Sequence, residues 1–215
     1  MKLIIGNKKY SSWSLRPWIA MKQIGLTFEE EVIPMAMPTT KPAMLKYAPT
    51  GLVPVLIDGE AVIFETIAIL EHLNEAYPAA QLWPRQVAAR AHARSIAAQM
   101  HGGFAALRRD CPMNMLRPVK KHAISPQAEQ DAASIDALWC EARQRFGQQG
   151  PFLFGAFTNA DAMYAPVVNR LHVYDLPRSK MAQIYMDAMM ALPAWQEWVM
   201  AAGQESWVIA SSEIT

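Results

Sequence analysis

Short apolar runs alternate with helical patterns over the first 78 residues of the chain. Short apolar or alternating runs predict strands, whereas apolar residues three and four positions apart predict helices. The predicted strands are residues 2–6, 28–35, 53–57 and 61–64, and the predicted helices are residues 15–24, 42–47 and 65–76. Asp58-Gly59-Glu60, between the last two strands, is a strong hairpin signal. The order β-α-β-α-β-β-α indicates an α+β layer.

The rest of the chain is predicted to be helical. Residues 79–84 have no periodicity and end at a proline, so they are predicted to link a first domain, residues 1–78, to a second, residues 85–215. In the second domain Ile96, Met100, Phe104 and Leu107 keep helical spacing, which predicts one continuous helix. Further helices are predicted at residues 135–146, 161–173, 180–192 and 193–202. We therefore expect an α+β domain followed by an all-helical bundle.

The composition limits the class of protein. Hydrophobic residues make up 52% and charged residues 18% of the 215 residues, which is typical of a globular chain. The net charge of +1 gives no electrostatic reason to expect nucleic acid or a membrane as a partner, and no apolar run reaches the roughly 20 residues of a membrane span. Two isolated cysteines, Cys111 and Cys140, favour a reducing, cytoplasmic location. The five histidines lack metal-ligand spacing, so no metal site is predicted.

Two dipeptides near the hairpin carry candidate binding chemistry. Val53-Pro54 lies at the start of a predicted strand, where a proline is tolerated. A cis bond there would turn the Val53 N–H and C=O groups outward to pair with an extended peptide. Glu65-Thr66 opens a predicted helix and has two interpretations. The pair caps the helix, or Thr66 and nearby N–H groups bind a ligand carboxylate while Glu65 binds an ammonium group.

A cluster of serines precedes the first predicted helix. Pro17 is expected in the first turn of that helix, which makes Ser14 the predicted N-cap residue. Ser11 and Ser12 then lie in the loop that faces the positive helix end. A hydroxyl donor and a helix N-terminus both lower the pKa of a thiol, so these serines are candidates for stabilising a thiolate. Ordinary loop polarity is the other interpretation of the pair.

Together these features resemble the soluble (cytosolic) glutathione S-transferases over nearly the whole chain. The element order is similar to that family's thioredoxin-like N-terminal domain and helical C-terminal domain. Val53-Pro54 and Glu65-Thr66 resemble its cis-proline motif and its Glu/Gln-Ser pair. Thr158 and Asp161 resemble its capping box at a buried helix start. Residues 11–16 most resemble the Ser-Ser-Cys-x-Trp-Arg signature of zeta-like, serine-type members, with Trp13 in place of the cysteine.

The resemblance implies glutathione as the co-substrate. Ser11 falls on the serine that stabilises the thiolate, with Ser12 beside it and Tyr10 as an alternative hydroxyl. The implied binding residues are Trp13, Lys41, Val53, Pro54, Glu65 and Thr66. Among these, Val53 would contact the cysteinyl backbone, Glu65 and Thr66 the γ-glutamyl end, and Lys41 the glycyl carboxylate.

The resemblance also implies a place for the second substrate. A small electrophile is expected between the two domains, beside Trp13 and the helix that carries His101, Phe104 and Arg108. A homodimer and a role in detoxification are implied as well.

Three functions stay open at this point. The first is conjugation of glutathione to a small electrophile. The second is glutathione-dependent cis-trans isomerisation of maleyl-type substrates, which the Ser11-Ser12 pair favours and Trp13 disfavours. The third is a transferase-like protein that only binds other proteins, which is disfavoured because the thiolate-stabilising and γ-glutamyl residues are retained.

Overall fold

The computed structural model describes residues 1–214. Its N-terminal part is built on a four-stranded sheet. Its strands are β1 (Lys2–Ile5), β2 (Glu29–Val32), β3 (Val55–Asp58) and β4 (Ala61–Phe64), in the order β2-β1-β3-β4. β1 is parallel to β2, with Lys2 opposite Glu29, and antiparallel to β3. β3 and β4 form the predicted hairpin, and its turn residue Gly59 has a φ of 61°, which glycine adopts without strain.

Helices surround this sheet and form the remainder of the described chain. They are α1 (Ser12–Gln23), α2 (Thr40–Met44), α3 (Thr66–Ala76), α4 (Val87–Gly102), α5 (Ala105–Asp110), α6 (Pro126–Phe146), α7 (Asn159–Val173), α8 (Lys180–Met190) and α9 (Pro193–Gly203). The predicted thioredoxin-like α+β layer followed by a helical bundle is confirmed. None of these helices within residues 1–214 is long and apolar enough to cross a membrane.

α7 is the most buried helix, since every residue in it except His172 is buried. It packs against both α1 and α4. Its start has the predicted capping box, in which the Asp161 carboxylate accepts the Thr158 N–H at 2.7 Å and the Thr158 hydroxyl at 2.9 Å. The same carboxylate accepts the Leu153 N–H at 3.0 Å. Burial raises the pKa of Asp161 to about 6, although these hydrogen bonds oppose the shift.

The helix predicted to run through Phe104 is divided in two, so that prediction was wrong. α4 and α5 are separated by Gly103, which is extended, and Phe104, whose φ is 55°. A Cβ at Gly103 would lie 2.6 Å from the Gln99 carbonyl oxygen, so the chain can turn here only with glycine. As a result, His101 lies in the last turn of α4 while Arg108 belongs to α5.

The segment predicted as a linker, residues 79–84, packs against the protein. It overlaps a single 3₁₀ turn at Pro78–Ala80, and Leu82 and Trp83 are only 1% and 3% exposed. The Leu82 carbonyl accepts the N–H of Asn159, the first residue of α7, at 2.8 Å. The connection between the sheet and the later helices is therefore fixed to the start of the most buried helix.

Candidate functional site

A pocket of ≈ 160 Å³ lies where three segments of the N-terminal part meet. The segments are the start of α1, the loop before β3 and the start of α3. The lining residues are Trp13, Thr50, Leu52, Val53, Pro54, Glu65 and Thr66. All the residues predicted to bind glutathione are among them except Lys41. The predicted catalytic residues Ser11 and Ser12 are not among the lining residues and precede Trp13 in the sequence.

The loop before β3 brings an open stretch of backbone to this pocket. The Val53–Pro54 peptide bond is cis. Val53 precedes β3, and its N–H and C=O groups have no backbone partner within residues 1–214. Pro54 is buried behind it. Val53 therefore presents a peptide edge to the pocket with which an extended chain can pair.

Lys41 lies beside the pocket without lining it. Its ammonium group donates to the carbonyl of Thr50, a lining residue, at 2.9 Å. Its side chain also covers Gly51, where an added Cβ would approach the Lys41 Cε to 2.8 Å. Lys41 thus holds the loop in place and adds positive charge at its edge.

Glu65 combines backbone strain with an accessible carboxylate. Its φ of 72° and ψ of 125° are unusual for a residue other than glycine, and strained residues of this kind concentrate at ligand sites. It is the N-cap residue of α3, yet its side chain makes no capping hydrogen bond. The carboxylate, 52% exposed, lies 3.9 Å from His101 Nε2 at the end of α4. A negative charge is therefore held at the pocket, close to the helical domain.

Thr66 and Pro17 are connected through the carbonyl group of Trp13. Pro17 lies inside α1 and has no N–H for the carbonyl four residues earlier, which belongs to Trp13. The Thr66 hydroxyl donates to that carbonyl at 3.2 Å. The first residue of α3 thus replaces the hydrogen bond that α1 lacks, and the two helix starts are joined beside the pocket.

The structure corrects the prediction that Ser14 is the N-cap residue and that Pro17 lies in the first turn. α1 begins at Ser12, so Ser11 is the N-cap residue and Ser14 and Pro17 lie inside the helix. The Ser14 side chain accepts the Gly6 N–H at 3.0 Å and therefore joins α1 to the end of β1. The helix can extend past Pro17 towards its N-terminus because Thr66 satisfies the carbonyl that the proline leaves without a donor.

Ser11 does not use its hydroxyl to cap the helix. The N-cap serines of α6 and α8, Ser125 and Ser179, each accept a backbone N–H of their own helix. Ser11 makes no such bond, and its Oγ instead lies 2.7 Å from the Oγ of Ser14. Its side chain is buried at the start of α1, where the positive end of the helix dipole lies.

The two other candidate hydroxyl groups have different surroundings. Ser12, the first residue of α1, is half-buried, and its hydroxyl has no hydrogen-bond partner within residues 1–214. The Tyr10 hydroxyl donates to the Glu213 carboxylate at 2.5 Å, so it is engaged by the C-terminal segment.

Two arginines and a histidine lie around Trp13 on the side of the helical domain. The Arg16 guanidinium lies 4.0 Å and the Arg108 guanidinium 5.0 Å from the Trp13 ring centroid. The His101 ring meets the same indole edge-on, at a centroid distance of 5.2 Å. The expected neighbours His101 and Arg108 are therefore in contact with Trp13, although they come from two helices.

Arg170 of α7 completes a cluster of three arginines with Arg16 and Arg108. Burial lowers the pKa of Arg16 well below its usual value, and the charges of Arg170 and Arg108 lower it further. Burial and the Arg108 charge likewise lower the pKa of Arg170 to about 10. None of the three arginines forms an ion pair with a carboxylate in the described part of the chain. Such a cluster favours an anionic ligand nearby.

Sequence reasoning assigned no role to Arg16 and did not find Arg170. Arg16 was visible only as the end of the serine signature, and Arg170 lies in a helix whose pattern indicated core packing. Both side chains are buried and donate to backbone carbonyls, Arg16 to Met163 and Arg170 to Cys111. Nothing in the local pattern marks Arg16 as a neighbour of the Trp13 ring, or Arg170 as a charge that acts on Arg16. The described residues contain no cluster of side chains that could hold a metal ion.

Known proteins resemble the chain in sequence and in fold. The family model for the glutathione S-transferase N-terminal domain matches residues 10–76, and the model for its C-terminal domain matches residues 122–200. A dichloromethane dehalogenase of Methylorubrum extorquens is 40% identical over 65 residues, which are 29% of this chain and 23% of that protein. A probable maleylacetoacetate isomerase of Vibrio cholerae is 34% identical over 108 residues, 47% of this chain and 50% of that protein. The chain thus matches half or less of the length of these relatives.

A solved structure covers nearly all of the chain. The holo structure of a maleyl pyruvate isomerase, described as a bacterial zeta-class glutathione S-transferase, has a TM-score of 0.75 and 22% identity and covers 96% of this chain and 100% of that one. At that identity the likeness establishes the fold. The two family models together span more than half of the sequence, and the chain belongs to the glutathione S-transferase family.

Proposed function

We propose that this protein is a glutathione transferase, which binds glutathione, stabilises its thiolate and adds it to a small electrophile. One observation carries the proposal. The starts of α1 and α3, neither capped by a side chain, meet at one pocket with the open peptide edge of Val53. Uncapped helix N-termini bind anions, and an open edge binds an extended peptide. Glutathione combines an extended peptide with carboxylates and a thiolate.

Each part of glutathione has a partner in this arrangement. Its cysteinyl backbone pairs with Val53, beside Pro54. Its γ-glutamyl carboxylate accepts N–H groups at the start of α3, at Thr66, and its ammonium group binds the Glu65 carboxylate. Lys41 attracts the glycyl carboxylate at the edge of the loop. The sulfur then lies towards the start of α1, where Ser11 donates a hydrogen bond to the thiolate and Trp13 separates it from the arginine cluster.

The energy needed to form the thiolate is within reach of this site. A free thiol has a pKa of about 8.5, and lowering it by ~2 units requires ~2.7 kcal/mol. One hydrogen bond to a charged group contributes about 1.5–3 kcal/mol, and a helix N-terminus adds about 0.3–1 kcal/mol. With an aryl halide as substrate, the thiolate forms the C–S bond while the carbon–halogen bond breaks and halide leaves.

Replacing Ser11 and Ser12 separately tests this assignment. We expect Ser11→Ala to raise the thiol pKa of bound glutathione by about 1–2 units, because one charge-assisted hydrogen bond is lost. Ser12→Ala is the matched control, with a change below about 0.3 unit. The thiolate absorbance of the complex, titrated with pH, measures both values, and kcat/KM with an aryl halide should fall in parallel. An unchanged pKa in Ser11→Ala would contradict the role of Ser11, and a rise in Ser12→Ala instead would assign it to Ser12.

A second activity, cis-trans isomerisation of maleyl-type dicarboxylates, is favoured by the arginine cluster beside Trp13. The thiolate would add to one carbon of the cis double bond, the resulting single bond would rotate, and loss of the thiolate would leave the trans double bond. No proton or electron is consumed. Only Arg108 of the cluster is accessible enough to contact a substrate carboxylate, and buried Arg16 and Arg170 add positive potential.

Arg108 separates the two activities. We expect Arg108→Ala to reduce isomerisation of a maleyl-type substrate at least tenfold, because its carboxylate loses a charged partner worth about 1.5–3 kcal/mol. Conjugation of an uncharged aryl halide should change less than about threefold, since no carboxylate is bound there. Arg109→Ala is the control, because the Arg109 side chain is 66% exposed and pairs with Asp110. Equal losses with both substrates would show that Arg108 does not select for charge.

The remaining expectations are part of the same proposal. We place the protein in the cytoplasm as a homodimer, with a glutathione-binding domain at residues 1–78, a connection at 79–84 and a helical domain at 85–215. A role in detoxification is included. Sedimentation at micromolar concentration should give a mass twice that of one chain, and a monomer would contradict the dimer without affecting the glutathione site.

A further inference from the structure

Ser14 lies directly behind Ser11 and is fully buried. Its Oγ accepts the Gly6 N–H at 3.0 Å and lies 2.7 Å from the Ser11 Oγ. The three groups form a short chain of hydrogen bonds from the end of β1 to the start of α1. No residue of the pocket lining takes part in it.

The direction of the bond between the two hydroxyl groups follows from counting protons. The Ser14 hydroxyl has one hydrogen to donate. Within residues 1–214 its only hydrogen-bond partners are the Gly6 N–H and the Ser11 Oγ. Gly6 is itself the donor, so the Ser14 hydrogen can be used only on the Ser11 oxygen. The opposite direction would leave the hydroxyl hydrogen of a fully buried serine without an acceptor, which costs about 1–3 kcal/mol.

With Ser14 as the donor, the Ser11 oxygen receives a hydrogen bond and its own hydrogen is left for another acceptor. A serine inside a helix can donate to the carbonyl four residues earlier, but Ser14 does not donate to Tyr10. Hydrogen bonds in a chain also polarise one another, so an oxygen that accepts a bond becomes a stronger donor. The hydrogen bond that Ser11 accepts from Ser14, and the polarisation that this bond causes, both leave the Ser11 proton to be donated to a ligand.

We propose that Ser14 is a positioning residue, which fixes the Ser11 hydroxyl so that its proton is donated to the glutathione sulfur. This inference rests on the proposed role of Ser11 and adds a residue to it. Gly6 and Ser14 hold the hydroxyl in one rotamer, and of these three residues only Ser11 touches the glutathione sulfur. The thiolate is thereby stabilised by a donor whose orientation is set before glutathione binds.

A double-mutant cycle on the thiol pKa tests the proposal. Ser14→Ala should raise the thiol pKa of bound glutathione by about 0.5–1 unit, because the Ser11 rotamer is released. In a Ser11→Ala background the same substitution should leave the pKa unchanged, because Ser14 acts only through Ser11. Equal effects of Ser14→Ala with and without Ser11 would overturn the positioning role, as would no effect of Ser14→Ala in the original chain.

Two further variants keep the outcomes distinct. Ser14→Thr retains the hydroxyl and should restore the pKa to within about 0.3 unit of the original. If Ser14→Ala lowers the yield of folded protein, Ser14→Cys replaces it in the cycle, because cysteine is a weaker donor of similar size. The thiol pKa of bound glutathione should then lie between those of the original chain and of Ser11→Ala. An unaltered pKa in Ser14→Cys would contradict the proposal. Ser11→Ala without effect would reject the proposed role of Ser11 itself. If Ser11→Ala raises the thiol pKa and Ser14→Ala does not, only the proposed role of Ser14 is rejected.

Discussion

Serine side chains at the starts of helices do three different things in this molecule. Ser125 and Ser179 accept a backbone N–H of the helix they begin. Ser14, three residues into α1, accepts an N–H from β1. Within residues 1–214 the Ser11 hydroxyl, at the N-cap position, is hydrogen-bonded only to Ser14, and in the proposed mechanism its proton is donated to the glutathione thiolate. The same residue type therefore stabilises the fold at three positions, and at the fourth, Ser11, it has the chemical role that we propose.

The link between Thr66 and Pro17 gives a prediction for single residues. Thr66→Val should lower the free energy of unfolding by about 1–2 kcal/mol, because the partly buried Trp13 carbonyl loses its donor. In a Pro17→Ala background the loss should be less than half as large, since residue 17 then supplies the N–H that the carbonyl lacks. Urea unfolding of the four proteins measures the coupling, and losses that simply add would contradict the link.

This link also explains why the start of α1 was predicted incorrectly. A proline is normally placed in the first turn, which moves the N-cap to Ser14. The partner that allows Pro17 further into the helix is Thr66, which is far away in sequence. Local patterns pointed to Ser11, Val53 and Glu65 as candidates, but they contain no information on such a contact.

At the scale of elements, the starts of helices determine where the site can form. The starts of α1 and α3 are left without side-chain caps at the pocket, whereas α7 begins with a complete capping box inside the protein. α7 packs on α1, so a well-fixed helix supports one whose end is open to a ligand. The fold tolerates the uncapped starts of α1 and α3 because burial of other parts of the protein stabilises it.

Asp161 provides the prediction at this scale. Asp161→Ala should lower the free energy of unfolding by about 3–5 kcal/mol, because two buried N–H groups and the Thr158 hydroxyl lose their acceptor. Asp187→Ala is the control, since Asp187 lies on the exposed side of α8 and should cost less than about 0.5 kcal/mol. Denaturant unfolding measures both, and similar small losses would show that the capping box contributes little.

Helix and strand periodicity predicted most elements because it reflects which face of each element is buried. The hairpin was predicted because the Asp-Gly signal lies in the turn itself, between paired residues Asp58 and Ala61, and the capping box because Thr158 and Asp161 resemble the family's motif. The break between α4 and α5 was not, since Phe104 keeps helical spacing while its backbone turns left-handed. That turn depends on the absence of a side chain at Gly103, which a hydrophobic pattern does not register.

At the scale of the whole molecule, the C-terminal segment is bound to the loop that precedes α1. The two oxygens of Glu205 accept the backbone N–H groups of Lys8, at 2.6 Å, and Lys9, at 3.0 Å. Glu213 pairs with the Lys9 ammonium group and accepts the Tyr10 hydroxyl. These contacts join residues about as far apart in sequence as the chain allows, so no local pattern could predict them. They hold the backbone immediately before Ser11.

Glu205→Ala tests the importance of this contact. We expect it to lower the free energy of unfolding by about 2 kcal/mol, because two backbone N–H groups lose a charged acceptor. It should also raise the thiol pKa of bound glutathione, since the loop before Ser11 is less firmly held. Glu197→Ala, which removes an exposed pair with Lys22, is the matched control and should change stability by less than about 0.5 kcal/mol. Thermal unfolding measures the change in stability, and pH titration of the glutathione complex measures the thiol pKa. If Glu205→Ala behaves like Glu197→Ala, Glu205 does not hold the loop before Ser11.

The hydrogen bonds between Glu205 and the backbone of Lys8 and Lys9 also have a consequence for folding during synthesis. During translation the loop before Ser11 leaves the ribosome nearly 200 residues before the carboxylate that holds it, since the two positions are 197 residues apart. Domains at the N-terminus fold first as the chain emerges. A nascent chain can therefore form its sheet early, but the hydrogen bonds that hold the loop before Ser11 can form only after residue 205 has been released.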